Sequence, residues 1–90
     1  MQTDNVAILG AGNLGKSIAE GLFSNGQYQP ENIYVTRRNT KSLQHLKDHG
    51  LQVTSDNTFA VKNCRFILLC VQPAHLENVL KEITPYLDPE

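Results

Sequence analysis

The chain has little cysteine, no excess of either charge and no long apolar run, and each shortage removes a class of protein. Its two cysteines, Cys64 and Cys70, are too few for a disulfide scaffold and lack CxxC spacing for a metal, so a reducing cytoplasm is the expected setting. Eight Lys+Arg against nine Asp+Glu leave a formal charge of −1. That is no field to hold a polyanion, and it speaks against nucleic acid and anionic membrane surfaces as partners. The longest apolar stretch, Phe66 to Val71, falls far short of the ~20 residues that span a bilayer. The opening Met1-Gln2-Thr3-Asp4-Asn5 has no basic segment ahead of an apolar one, so no secretory signal is read. Low-complexity tracts and internal repeats are also missing, which leaves one continuous unit over 1–90. With 40% hydrophobic and 19% charged residues, that unit has globular rather than disordered composition.

What is present is an alternation. Asn5-Val6-Ala7-Ile8-Leu9 is a short apolar run ended by Gly10, as in a strand buried on both faces. Leu14, Ile18 and Leu22 then fall four apart, the spacing of a helix, with Asn25-Gly26 as its stop. A polar connection containing Pro30 leads to a second strand, Ile33–Thr36. A second helix carries Leu43 and Leu46 up to Gly50, and Leu51–Thr54 alternates as a third strand. Ser55-Asp56-Asn57 supplies N-caps for a brief helix through about Asn63. Arg65–Val71 is the strongest strand signal, an almost unbroken apolar run of the kind found in central parallel strands. Gln72-Pro73 breaks it, and Leu76, Val79, Leu80 and Ile83 form one stripe of a final helix ending near Pro85. Four strands alternating with four helices predict an α/β fold, a Rossmann-type doubly wound parallel sheet of order 3-2-1-4. That order puts the apolar Arg65–Val71 strand at an edge, where natural proteins cover or pair it. The sheet therefore reads as incomplete without further strands, either in a longer protein or from another chain.

Gly10-Ala11-Gly12-Asn13-Leu14-Gly15 matches G-x-G-x-x-G between a predicted strand and a helix, the context in which that motif binds a dinucleotide. Gly10 suits the tight turn, Gly12 a close approach of backbone to pyrophosphate, and Gly15 close helix–strand packing. The helix start then aims free N–H groups and a positive dipole end at the phosphates. The other reading is a merely structural turn. At the end of the second strand a carboxylate would accept from the adenosine ribose and repel a 2′-phosphate. Here Thr36, Arg37 and Arg38 stand instead, with no carboxylate between Glu31 and Asp48. A hydroxyl and two guanidiniums suit a doubly charged phosphate and favour NADP over NAD, unless the arginines are simply solvated. Val71-Gln72-Pro73, after the fourth strand, borders the crevice on its nicotinamide side, although Pro73 also suits a helix first turn. Asn57 is either a cap or a cofactor contact. Cys64 and Cys70 read as packing residues. His45 and His49 share a helix face but have no third metal ligand, and His75 alone is weak evidence for acid–base work.

Taken together, Val6 to Gly15, Ile33 to Arg38, Val53-Thr54-Ser55-Asp56-Asn57 and Cys70-Val71-Gln72-Pro73 resemble, in order and spacing, the N-terminal half of pyrroline-5-carboxylate reductases. The coenzyme F420-dependent NADP oxidoreductase domain shares much of this pattern. The resemblance implies a domain that binds NAD(P)H for an enzyme reducing the C=N bond of 1-pyrroline-5-carboxylate to give L-proline, the last step of proline biosynthesis. It further implies that the glycine loop holds the pyrophosphate and that Thr36 and Arg38 match the family's Ser-x-Arg at the 2′-phosphate. Asn57 would contact the cofactor, and Cys70, Val71, Gln72 and Pro73 would lie along it. Leu14 replaces a common Met, and Gln72 replaces the usual Lys, which removes a positive charge near the cofactor. In that family a helical C-terminal domain builds most of the substrate site and the homo-oligomer interface. These ninety residues are thus expected to bind cofactor without catalysing, since nicotinamide carries the hydride and the protein mainly orients it. The competing expectations are an F420-dependent NADP reductase and a non-catalytic NADP-sensing module.

Overall fold

The computed structural model describes residues 5–87. Four strands, β1 (Val6–Leu9), β2 (Ile33–Thr36), β3 (Gln52–Thr54) and β4 (Phe66–Leu69), form one parallel sheet of order β3-β2-β1-β4. The helices α1 (Asn13–Ser24), α2 (Gln44–Asp48), α3 (Asn57–Lys62) and α4 (Pro73–Ile83) alternate with them. This is the Rossmann-like order expected from the sequence. β1 pairs with β2 from Val6–Ile33 to Leu9–Thr36 and with β4 from Val6–Phe66 to Leu9–Leu69, so three strands end level at their C-terminal edge.

β1 is buried along its whole length because helices cover both faces of the sheet. Strand side chains alternate in direction. Val6 and Ile8 face a cluster with Ala11, Ala19, Val35, Leu43 and Leu46, while Ala7 and Leu9 face Ala60, Val61 and Ile83. Full burial of a side chain such as Ile8 contributes about 1.5–3 kcal/mol. The two clusters place α1 and α2 on one side and α3 and α4 on the other, the arrangement required by right-handed crossovers.

Four expectations change in detail. Leu14 does not join the buried stripe of α1. It is 67% exposed, and the helix packs through Gly15, Ile18, Ala19 and Leu22, because Gly15 is the first residue rotated toward the sheet. The second helix begins as a 3₁₀ turn, Thr40–Leu43, with the Asn39 side chain accepting from Lys41 N, and only then becomes α2. The Gly50 N–H donates to Lys47 O at 3.0 Å as that helix ends. β4 is shorter than Arg65–Val71 and is not shielded as a central strand would be. It has one neighbour, and Phe66, Leu68 and Leu69 are 46%, 39% and 40% exposed. On α4 only Val79 and Ile83 reach the core, while Leu76 and Leu80 of the predicted stripe remain exposed. No described helix is long and apolar enough to cross a membrane.

Candidate functional site

The level ends of β1, β2 and β4 floor a cleft of about 680 Å³, with the start of α1 on one side and α4 on the other. Its geometry starts at Gly10, where φ is +80°. Only glycine adopts that conformation without strain. A Cβ there would also fall on the Val71 side chain and lie 3.0 Å from Val71 Cα, so the turns leaving β1 and β4 interlock through a missing methyl. Gly12 differs, because nothing stands within 4 Å of where its Cβ would be, and the space beside it is open to the cleft. Gly15 is a packing glycine. A Cβ on it would meet Ala11 Cβ at 3.2 Å and Ile8 Cγ2 at 3.3 Å.

The first amides of this turn are held mainly by β2. Gly10 N–H donates to Thr36 O at 3.1 Å, Ala11 N–H to the same carbonyl at 2.8 Å, and Gly12 N–H to Gly10 O at 2.7 Å. The first intrahelical bond, Lys16 N–H to Gly12 O, leaves the N–H groups of Asn13, Leu14 and Gly15 without an acceptor among the described residues, and Gly12 provides no side-chain cap. These three donors, at the positive end of a 12-residue helix, are where the turn offers itself to an anion.

Thr36 is placed differently from the expectation of a phosphate ligand. It is 1% exposed, and its hydroxyl is engaged on both sides. Oγ1 accepts from Gly10 N at 3.2 Å and donates to Asn57 Oδ1 at 2.5 Å. Asn57 Nδ2 in turn donates to Glu82 Oε1 at 3.2 Å. A carboxylate can only accept, so Glu82 orients the Asn57 amide. That leaves Oδ1 to face Thr36 and obliges the threonine hydroxyl to donate. Thr36 thereby braces the glycine turn. Asp56, rather than Asn57, caps α3, its side chain accepting from Thr58 N and Phe59 N. Those bonds, led by the one from the Thr58 hydroxyl, hold the Asp56 carboxyl below its ordinary value.

The two arginines diverge. Arg37 Nη1 donates to Ser42 Oγ at 2.8 Å, while Arg38 is exposed on the cleft wall and forms no ion pair among the described residues. Cys70, Val71 and Gln72 line the opposite wall, whereas Pro73 takes the first position of α4 and stays off the lining. The structure thus brings nine of the predicted residues to the cleft: Gly10, Gly12, Thr36, Arg37, Arg38, Asn57, Cys70, Val71 and Gln72. Ala11 and Gly15 lie buried beneath it, and Asn13 and Leu14 stand exposed at the α1 rim. The cleft also takes in Ser55 and one face of α4: His75, weighed in the sequence only as an acid–base group, and Asn78, Val79 and Glu82, which the sequence did not assign to a site. Their i, i+3, i+4, i+7 spacing was available as a signal, but the neighbouring apolar stripe drew attention instead.

Both cysteines sit in partly buried surroundings that favour the neutral thiol. Burial pushes the Cys64 thiol up to about 12 and raises that of Cys70, and a neutral thiol is unreactive. His45 Nε2 pairs with Glu20 Oε2 at 2.7 Å, and His49 bonds the His45 carbonyl, so both histidines have protein partners. A dinucleotide fits the donor set. Three helix-start amides without acceptors among the described residues suit a diphosphate, the space beside Gly12 admits it, and a guanidinium with no ion pair among the described residues lies beyond the end of β2.

Comparison with known proteins agrees with this geometry. Residues 5–90 match the family described as NADP oxidoreductase, coenzyme F420-dependent. The chain is 46% identical over 80 residues to pyrroline-5-carboxylate reductase 2 of Dictyostelium discoideum, covering 88% of this chain and 27% of that protein. It is 36% identical over 84 residues to the pyrroline-5-carboxylate reductase of Corynebacterium melassecola, with 92% and 31% covered. A solved pyrroline-5-carboxylate reductase from Coxiella burnetii superposes with a TM-score of 0.90 at 32% identity, over 99% of this chain and 33% of that one. The Plasmodium falciparum pyrroline carboxylate reductase, solved with NADP bound, shares the fold with a TM-score of 0.79 at 24% identity, over 96% of this chain and 30% of that one. The chain spans a third or less of the length of these relatives.

Proposed function

The chain belongs to the family of NADP oxidoreductases described as coenzyme F420-dependent, and from that membership we propose that residues 1–90 form the NADP(H)-binding domain of a pyrroline-5-carboxylate reductase. The observation that carries the reading is the glycine turn. Gly10 is locked under Val71, Gly12 opens onto the cleft, and the N–H groups of Asn13, Leu14 and Gly15 at the start of α1 have no acceptor among the described residues. In this reading those amides bind the diphosphate, and Arg38 holds the 2′-phosphate with Arg37 beside it. Asn57 contacts the ribose end, and Cys70, Val71, Gln72 and Pro73 flank the nicotinamide end. The bound cofactor supplies the hydride for the C=N bond of 1-pyrroline-5-carboxylate, and this domain's part is to bind and orient.

Catalytic groups and a homo-oligomeric interface belong, on this reading, to the remaining two thirds of the protein, as its relatives' lengths suggest. The near-neutral charge and two free thiols fit a cytoplasmic enzyme that does not act on nucleic acid or at a membrane. The test has two arms on the intact protein: titration with NADPH, followed by proline formation from 1-pyrroline-5-carboxylate and NADPH. Binding with turnover supports the proposal, and binding without proline formation rejects the substrate. The family's description favours one second reading, reduction of NADP coupled to coenzyme F420, which F420-dependent NADPH formation would reveal.

A further inference from the structure

The end of β2 lacks the carboxylate that discriminates between the two nicotinamide dinucleotides, but the folded chain brings one there from elsewhere. Glu82, on the last turn of α4, lies one amide away from the tip of β2. Its Oε1 accepts from Asn57 Nδ2 at 3.2 Å, and Asn57 Oδ1 accepts from Thr36 at 2.5 Å. The second carboxylate oxygen has no partner among the described residues, and Glu82 lines the same cleft as Arg38. Of the other charged or titratable groups on that lining, Arg37 is tied to Ser42, and His75 stands seven residues earlier on the same face of α4.

We propose that Glu82 is a specificity-determining residue that supplies the ribose-facing carboxylate missing from β2 and, with Arg38, sets the balance between NADPH and NADH. This rests on the reading of the cleft as a dinucleotide site with the adenosine ribose at the end of β2. Each cofactor then finds one favourable group. A 2′-phosphate pairs with the Arg38 guanidinium and is repelled by Glu82, whereas a free 2′-hydroxyl donates to the Glu82 carboxylate. The consequence is a protein that accepts both dinucleotides with modest discrimination, in place of the NADP preference suggested by Thr36-Arg37-Arg38 alone.

Glu82→Gln isolates the charge, because a glutamine Oε1 still accepts from Asn57 and keeps the brace on Thr36. In fluorescence titrations of the intact protein, E82Q is expected to tighten NADPH by about two- to fivefold, the range of an exposed like-charge contact. It is expected to weaken NADH by about three- to tenfold through loss of a charge-assisted bond. Both shifts shrink at raised salt, while the melting temperature stays unchanged. Arg38→Ala, run beside it, loses about ten- to hundredfold in NADPH affinity and little in NADH. If E82Q moves both cofactors by the same factor, or moves neither while R38A acts on NADPH alone, the role of Glu82 is overturned and the dinucleotide site stands. If E82A weakens both cofactors equally and E82Q weakens neither, Glu82 is only a brace. If the unaltered protein binds neither dinucleotide, the site reading fails and this inference fails with it.

Discussion

β1 and β4 are both wholly apolar four-residue strands, Val-Ala-Ile-Leu and Phe-Ile-Leu-Leu, paired with each other in register over their whole length. Every β1 residue is buried, and three of the four β4 residues are exposed. The difference is position. β1 has a strand on each side and a helix layer on each face, whereas β4 has one neighbour and only Ile67 packs against the core. Apolar content tells where a strand belongs in a finished protein, and neighbours decide what it buries. The same contrast governs the cleft. On the β1 side the amides of Gly10 and Ala11 are tied to Thr36 of β2, while on the α4 side polar side chains stand open to solvent.

The widest gap between the two strands is expected from equivalent truncations. Ile8→Ala, in the fully buried strand, should cost about 2–5 kcal/mol, and Leu68→Ala, at the partner position on β4, about 1 kcal/mol. Denaturant titration of the intact protein reads both, and equal losses would mean that β4 is covered in solution. Next comes the point where the two strands' exits touch. Gly10→Ala combines a clash with Val71 and an unfavourable backbone conformation, for about 2–4 kcal/mol. Adding Val71→Ala should restore part of that loss. Gly12→Ala, with open space around it, should leave stability within about 0.5 kcal/mol while weakening NADPH binding, so stability and affinity separate within one turn. The smallest effect is at α3, which covers the Ala7–Leu9 face of β1. The folded Asp56 carboxyl titrates below its ordinary value, so its cap is fully present above the unfolded carboxylate pKa and is lost as pH falls through the lowered folded one. Asp56→Asn should flatten that acid limb in a pH series of melting curves, and an unchanged limb would assign it to other carboxylates.

The four strands and their order were legible because each apolar run is short, punctuated by glycine, proline or polar residues, and separated by helical spacing. β2 falls on Ile33–Thr36 as read. β4 ends early for a reason no local pattern carries. Cys70 N–H still donates to Leu9 O at 2.8 Å, but Val71 must turn across Gly10. Within the site, the G-x-G-x-x-G turn and Arg38 were readable from type and spacing. The role of Thr36 was not, since its hydroxyl is engaged by residues 26 positions before and 21 positions after it. Glu82 was hidden for the same reason, because only the crossover carrying α4 back over the sheet brings it beside Asn57.

The bonding of Gly10 and Ala11 to Thr36, and of Gly12 to Gly10, makes that corner a stiff seat. Little backbone entropy remains to be surrendered when a guest docks there, so the seat contributes affinity without choosing among guests that share the same central linkage. Choice passes to the rim, where side chains can be exchanged one at a time without loosening the frame below.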